Sequence, residues 1–264
     1  MLSNLRQLFR YRALIQTLVV RELKARYRGS VLGYFWSFVN PLLLLLVFWF
    51  VFTHIMPRGE DVQIEHYAVF MFCGLLPWTW FSSSLMDAAN ALIINGNLIK
   101  KVMFPAEILP VVSVISNMVH FLFGLPILIA FLFYYSIPLE PMGLIWFPLV
   151  LSVQFILTLG LAMVLSALTV HFRDIKDLLA NLLTLWMFAS PIIYPMSFVP
   201  PQAKPFMDLN PFAHLAISYQ EIFYFRGPFG HWKWLIALAF AGTALFLVGY
   251  WLFDRLRDSF AEEV

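Results

Sequence analysis

Long uncharged apolar stretches alternate with short polar stretches along the whole chain. A helix rises about 1.5 Å per residue and needs roughly 17 to 25 apolar residues to cross a bilayer. Six stretches meet or approach that length: 31–56, 67–94, 108–135, 144–170, 178–194 and 234–253. Lone strands cannot satisfy their backbone groups in lipid, so we expect helices. The predicted fold class is an all-α integral membrane protein, with six transmembrane helices in a single domain, 1–264.

The composition excludes several classes of protein. The chain has 264 residues, of which 61% are hydrophobic and only 12% charged, which is outside the range of water-soluble domains. Its one cysteine, Cys73, rules out an internal disulfide and a CxxC site. No Gly-Lys pair occurs, so there is no phosphate-binding loop for ATP, and the six histidines form no HExxH motif. We predict no catalytic residue, no metal and no cofactor on this chain.

The positive charges predict the orientation. If the amino end is inside, 13 of the 17 Lys and Arg residues fall in inner segments. Positive residues favour the cytoplasmic side, so both termini and the segment 95–107 are expected to be cytoplasmic. The first thirty residues lack a cleavage site and are read as retained rather than as a signal peptide.

Residues 1–30 predict an amphipathic interfacial helix. On a helical wheel, one narrow sector holds five basic residues: Arg6, Arg10, Arg21, Lys24 and Arg28. Apolar residues occupy the opposite side, as in a helix that lies between headgroups and acyl chains. Arg12 and Arg26 depart from this pattern, which indicates a break or a second contact surface. The alternative is positive charge that only orients the first span.

The polar interruption "NGNLIKKVMFPAEILP", residues 95–110, predicts a short cytoplasmic helix. Asn95-Gly96-Asn97 is typical of a turn and helix start, and Pro105 would end the helix. Leu98, Ile99, Val102 and Met103 give an apolar flank that no membrane requires, beside two lysines. Such a helix suits a groove on a partner protein. A loop whose lysines only fix topology is the alternative.

Two other connections carry information. "HFRDIKD", residues 171–177, is either a second contact or a solvated turn. The outer segment 196–230 is too apolar for a plain loop and too rich in proline to span, so we expect short re-entrant helices in the outer leaflet. A packed outer cap is the alternative.

Few ionisable residues lie inside the spans, which disfavours an ion-coupled transporter. Asp87 lies near the cytoplasmic end of its span, where Lys100 or Lys101 could reach it. His120 lies in mid-span and is expected to bond to a neighbouring helix. Since no residue supplies chemistry, the energy for transport would come from another subunit.

Four segments resemble the membrane subunit of ATP-binding-cassette exporters for bacterial polysaccharides, namely O-antigen, teichoic acid and capsule. They are "RELKARYRGSVLGYFWSFVNPLL" (21–43), "NLIKKVMFPAEILP", "HFRDIKDLLANLLTLWMFASPIIYP" and "NPFAHLAISYQEIF". The resemblance covers essentially the whole chain and implies a homodimer in the bacterial inner membrane. It also implies two copies of a separate ATPase subunit, which would bind ATP and Mg²⁺, and a lipid-linked polysaccharide as substrate. No nucleic acid is expected as a partner.

The resemblance also implies roles for particular residues. The coupling helix that seats in the ATPase would contain Asn95, Gly96, Asn97, Leu98, Ile99, Lys100, Lys101, Val102, Phe104 and Pro105. The amino-terminal helix would be interfacial, and 196–230 would form outer gate helices.

Six helices are too few to enclose a conduit for a sugar chain, so a pathway along a dimer axis is expected. Aromatic rings that could line it are Trp78, Trp80, Phe81 and Tyr194, although interfacial anchoring is the alternative for each. O-antigen is the favoured cargo. The alternatives are teichoic acid, capsule, a small lipid or drug, or a membrane scaffold that transports nothing.

Overall fold

The computed structural model describes residues 10–55, 64–101 and 104–263. Within these ranges every regular element is helical, as the apolar pattern predicts. In chain order the helices are α1 (Arg12–Arg26), α2 (Trp36–Phe50), α3 (Tyr67–Ile94), α4 (Gly96–Lys101), α5 (Ile108–Tyr134), α6 (Pro141–Leu144), α7 (Phe147–His171), α8 (Ile175–Phe188), α9 (Lys204–Asp208), α10 (Pro211–Phe223), α11 (Trp232–Leu256) and α12 (Phe260–Glu263).

Five helical stretches are long and apolar enough to cross a membrane. They are Trp36–Ile55, Tyr67–Ile94, Ile108–Tyr134, Pro141–His171 and Trp232–Ser259. The first is α2 with a π-helical continuation, Val51–Ile55. These five stretches confirm an all-α membrane protein.

The apolar run 178–194 is helical only in part. It lies in α8, which has 14 residues and ends at Phe188, and turns follow in 189–194. Pro191 and Pro195 cannot donate backbone hydrogen bonds and so oppose further helix. At about 1.5 Å per residue, α8 is roughly 21 Å long, shorter than the ~30 Å hydrocarbon core. The six-span count stays a prediction.

Helix α3 is the centre of the bundle and packs against α5, α7 and α10. It is apolar on all faces and is buried over most of its length. Pro77 interrupts its backbone ladder. There the side-chain amide of Gln154, on α7, donates to the backbone oxygen of Pro77 at 2.9 Å. The amide nitrogen of Gln154 is thus paired with helix backbone, which ties α7 to α3, whereas its Oε1 is buried without a partner among the described residues.

Helices α7 and α11 pack together through glycine. A β-carbon at Gly249 would lie 2.6 Å from the backbone oxygen of Gly160, and one at Gly160 would lie 2.7 Å from the backbone nitrogen of Phe246. Both distances are below van der Waals contact, so the backbones approach as closely as they do because neither residue has a side chain. Small residues serve the same purpose in other membrane helix pairs.

The outer segment between α8 and α11 holds two short helices, α9 and α10. Helix α10 is largely buried and packs against α3, α6, α7 and α11. Asn210 caps it by accepting hydrogen bonds from the backbone N–H groups of Phe212 and Ala213. The depth of these helices in a membrane stays a prediction.

The last described helix, α12, packs against α4 and α7. Phe260 is fully buried, with its ring 5.1 Å from the ring of Phe253 and 6.3 Å from that of His171. His171 Nε2 lies 3.0 Å from the hydroxyl of Ser259. The carboxyl-terminal region is therefore joined to the loop that begins α8 and to the predicted coupling helix.

Candidate functional site

The coupling segment, residues 95–105, contains the short helix α4. Its exposed positions are Asn97 and Lys100, and Ile94 precedes them at the end of α3 with 76% of its side chain exposed. These three residues are three apart and form a ridge on the surface. Gly96 is buried, and Asn95 donates from its amide to the backbone oxygen of Ala91 at 2.9 Å.

Four other described residues of the coupling segment are partly covered by the protein itself. Ile99 and Phe104 are half-buried and pack on the main core, and Leu98 and Pro105 are also half-buried. Lys101 is the last residue of α4, and Val102 lies outside the described residues. Among the described side chains of this part of the chain, the ridge Ile94, Asn97 and Lys100 is therefore exposed to a partner.

Helix α1 packs on the bundle through one side. Leu18 and Val19 are buried against Ile108 and Val112 of α5. The basic residues Arg10, Arg21, Lys24 and Arg28 are exposed, and Arg6 lies outside the described residues. The guanidinium of Arg21 donates to the side-chain oxygen of Asn95 at 3.3 Å. The amino-terminal helix is thereby joined to the coupling segment.

Arg26, which departs from the basic face of α1, reaches into the bundle instead. Its guanidinium lies 2.7 Å from a carboxylate oxygen of Asp87 and donates to the side-chain oxygen of Asn117 at 3.2 Å. The amide of Asn117 donates to the same Asp87 carboxylate at 2.8 Å. The sequence suggests Lys100 or Lys101 as the partner of Asp87. In the structure Asp87 pairs with Arg26, because the end of α1 lies beside α3 and α5. Arg26 therefore gives α1 a second contact with the bundle, through α3 and α5.

Next to this group lies His120, whose Nδ1 is 3.4 Å from the hydroxyl of Tyr27. The bond links α5 to Tyr27, which follows the last residue of α1, whereas the sequence predicts a bond to a neighbouring helix. Ser37 of α2 donates to the same tyrosine oxygen at 2.9 Å. We call Arg26, Tyr27, Asp87, Asn117 and His120 the inner polar cluster.

The inner polar cluster borders two hollows. The inner cavity, of about 590 Å³, lies between the end of α1, α2, α3 and α5. The side groove, of about 560 Å³, lies between α3 and α8, and its lining includes Ser82, Asp87 and Thr184. Arg26 and Ser83 line both hollows. Hydroxyl, amide and aromatic groups in such hollows can bind hydroxylated ligands.

The aromatic residues proposed for a pathway are mostly packed in the core. Trp78, Trp80 and Phe81 are buried, near the middle of α3. Trp80 donates from its ring nitrogen to the backbone oxygen of Val114 at 3.1 Å. Tyr194 is half-buried and donates to the backbone oxygen of Phe188 at 3.0 Å.

Two of these tryptophans also reach the hollows. Trp78 lines the side groove and Trp80 lines the inner cavity. The structure therefore separates the four residues, and Tyr194 lines neither hollow.

An outer cluster of ionisable groups joins α10 to the start of α11. His214 Nε2 lies 2.9 Å from the backbone oxygen of Asp208, and its Nδ1 lies 2.9 Å from Nε2 of His231. Glu221 accepts hydrogen bonds from the backbone N–H groups of Gly230 and His231. Burial lowers the pKa of both histidines, that of His231 to about 4, and burial raises the pKa of Glu221.

Asn117 and Ile94 were missed by sequence reasoning, whereas Arg26 was recognised because it falls off the basic sector of its helix. Asn117 and His120 are three apart on an apolar helix, which also marks a polar patch. Ile94 gives no signal, because its exposure depends on the turn at Asn95. Within the described part of the chain, no three His, Cys, Asp or Glu side chains are placed to hold a metal ion.

Residues 13–224, from α1 to the end of α10, match the ABC-2 type transporter family. The chain belongs to this family. It is 40% identical to the O-antigen export system permease protein RfbA of Myxococcus xanthus, over the full length of both chains. It is 34% identical to the protein of the same name from Klebsiella pneumoniae, over 94% of each chain.

A more distant relative is the polysialic acid transport protein KpsM of Escherichia coli, which is 24% identical over 76% of this chain and 77% of its own. As an ABC-2 type transporter chain, the protein is a transport subunit of the membrane. The resemblance noted from the four sequence segments is confirmed at this level.

Proposed function

We propose that this chain is the membrane subunit of an ATP-driven exporter that moves a lipid-linked polysaccharide across the bacterial inner membrane. O-antigen is the favoured cargo. The observation that carries the proposal is the full-length similarity to a protein named as an O-antigen export permease. Teichoic acid, capsule or a small lipid or drug is the alternative cargo. Both termini would be cytoplasmic, in line with the distribution of Lys and Arg.

Energy would reach the chain through the coupling segment. We propose that the ridge Ile94, Asn97 and Lys100 contacts a cleft on a separate ATPase subunit, which binds ATP and Mg²⁺. An exposed isoleucine beside a lysine is more typical of a protein–protein interface than of a surface that contacts only solvent. The contact of Arg21 with Asn95 supports a joint movement of α1 with this segment.

The pathway is proposed to lie between two copies of the chain, at the side groove. Ser82, Ser83 and Thr184 offer hydroxyl groups there, and Asp87 and Arg26 offer charge. Hydroxyl groups exchange hydrogen bonds with sugars without holding any unit tightly, which favours sliding. A second copy related by two-fold symmetry would close the groove.

The test is export by the purified chain together with its ATPase in proteoliposomes. The double variant Ile94→Asp with Lys100→Glu should reduce glycan export and glycan-stimulated ATP hydrolysis at least tenfold, because a buried carboxylate opposes docking. Lys233→Glu, an exposed lysine on the opposite side, is the matched control and should leave both unchanged. Undiminished export by the double variant, correctly inserted, would refute the coupling role.

A further inference from the structure

The inner cavity is a hollow within one copy of the chain, separate from the groove that faces a second copy. It is lined by the end of α1, by α2, by α3 and by α5. Its volume of about 590 Å³ is within the range of about 300–1,000 Å³ typical of sites for small ligands. It is thus large enough to hold a small organic headgroup.

The lining combines polar groups with aromatic rings. Ser37, Asn40, Thr79 and Asn117 supply hydroxyl and amide groups, and Trp36 and Trp80 supply indoles. Sugars present hydroxyl groups and apolar C–H faces, which fit these two kinds of side chain. Ser37, Thr79 and Asn117 already have partners within the protein. An apolar ligand would therefore leave the Asn40 amide without a partner, at a cost in free energy.

Three lining groups have hydrogen-bonding capacity that the protein itself does not use. His120 Nε2 is buried and has no hydrogen-bond partner within the described residues. Pro41 has no N–H, so the backbone oxygen of Ser37 one turn earlier loses its helical donor. Asn40 is exposed on the same turn of α2, a helix that is otherwise largely apolar. A hydroxyl-rich ligand can hydrogen-bond to the exposed amide of Asn40, and it can reach the buried His120 Nε2 only if that ring turns.

The charge balance argues against a phosphate as the main ligand. Arg26 is the only Lys or Arg that lines the described cavity, and its charge is already paired with Asp87 at 2.7 Å. A diphosphate would need further cations to replace its water. The lining therefore favours a neutral headgroup.

We propose that the inner cavity is a binding site for a sugar unit of the exported glycan, on the cytoplasmic side and next to the pathway. The inference rests on the proposed function, and it names the place where the exported glycan first contacts the chain. Arg26 and Ser83 border both the inner cavity and the side groove, so a sugar bound in the cavity lies one side chain from the groove. The site belongs to each copy and needs no residue of the second.

The test is protection of an introduced cysteine in the full chain, in lipid nanodiscs. Thr79→Cys places a thiol in the inner cavity, and Ser82→Cys, one turn further along α3, places a thiol in the side groove only. The native Cys73 is buried, so the unsubstituted chain should not react. Octyl β-glucoside below its micellar concentration is the sugar probe, and octyl phosphocholine is the control of equal chain length.

We expect the glucoside to slow maleimide labelling of Thr79→Cys at least threefold, and to leave Ser82→Cys unchanged. Octyl phosphocholine should protect neither. Equal protection of Thr79→Cys by both amphiphiles would make the cavity a site for alkyl chains and would overturn the proposal. Absence of protection, or failure of Thr79→Cys to react at all, would overturn it as well.

Export assays separate this proposal from the proposed function. Thr79→Leu fills the cavity and should reduce glycan export at least fivefold, whereas Ser152→Leu, on the exposed face of α7, should not. Full export by Thr79→Leu would refute the site and leave the exporter standing. If the glucoside protects Thr79→Cys but the chain with its ATPase exports no glycan, the sugar site would stand and the proposed function would be refuted.

Discussion

The two histidines of the outer cluster share one hydrogen bond, and the geometry fixes which ring donates it. A carbonyl oxygen only accepts, so His214 carries its proton on Nε2, toward Asp208. Its Nδ1 must then accept from Nε2 of His231. A second proton on His214 would place two N–H groups face to face.

This arrangement predicts a loss of stability in acid. Both histidines have a pKa below the ordinary 6.5, His231 at about 4, so the folded chain binds fewer protons than the unfolded chain between these values. Stability is therefore lost as the pH falls from about 6.5 toward 4. The raised pKa of Glu221 opposes this in part, but it is one group against two. Glu221 Oε1 lies 3.8 Å from His231 Nδ1, and Asp208 is the other neighbouring charge.

We expect the melting temperature to be several degrees lower at pH 5 than at pH 7.5, as measured by fluorescence in nanodiscs. His231→Asn should remove at least half of this difference, because it deletes one titrating ring of the pair. His54→Asn, an exposed histidine on the first span, is the control. An unaltered difference in His231→Asn would show that protonation of this histidine does not cause the loss of stability in acid.

At the scale of elements, the contact of α7 with α11 depends on two glycines. Gly249→Val would drive its side chain into the backbone oxygen of Gly160. Such overpacking costs about 1–3 kcal/mol or more. Ala244→Val, on the exposed side of the same helix, is the matched control and should cost little. Chemical or thermal unfolding of the purified chain measures both, and equal melting of the two variants would mean that the helices can part.

Sequence reasoning placed elements well where hydrophobicity alone decides. The apolar run 67–94 has the same limits as α3, and 108–135 ends one residue after α5. It did less well where a local break decides: the run 178–194 is helical only to Phe188. Its composition is apolar to the end, and proline rather than hydropathy ends the helix.

The site was less predictable than the elements. The coupling segment can be recognised by its turn residues and lysines, but which of its residues are exposed depends on packing against the core. Ile99 and Phe104 pack inward, whereas Ile94 lies on the surface. Likewise Trp78 and Phe81 are aromatic residues of a predicted span, and only the bundle shows that they are buried among Trp186 and Phe212.

At the scale of the whole molecule, α8 has a surface that the single chain leaves uncovered. Its exposed apolar residues are Leu178, Leu182, Leu185 and Phe188. Asn181 and Thr184 are exposed among them, and polar groups suit a seam between proteins better than hydrocarbon. This is the surface on which we expect the second copy.

A cysteine at Leu182 should therefore form a disulfide-linked dimer in membranes under mild oxidation, because positions near a two-fold axis meet their own counterparts. Phe240→Cys, which is 75% exposed on α11, should give none. The readout is the mobility of the chain in a non-reducing gel. Cross-linking at Phe240 with none at Leu182 would place the second copy elsewhere.

The packing of α12 has a mechanical consequence. Phe260 wedges this helix between α7 and α11, and the same helix lies against α4. A force applied to α4 cannot bend one loop alone. If α4 is the coupling helix, we expect such a force to act together on α3, which leads into α4, and on α7 and α11, and so to tilt the bundle rather than bend one hinge.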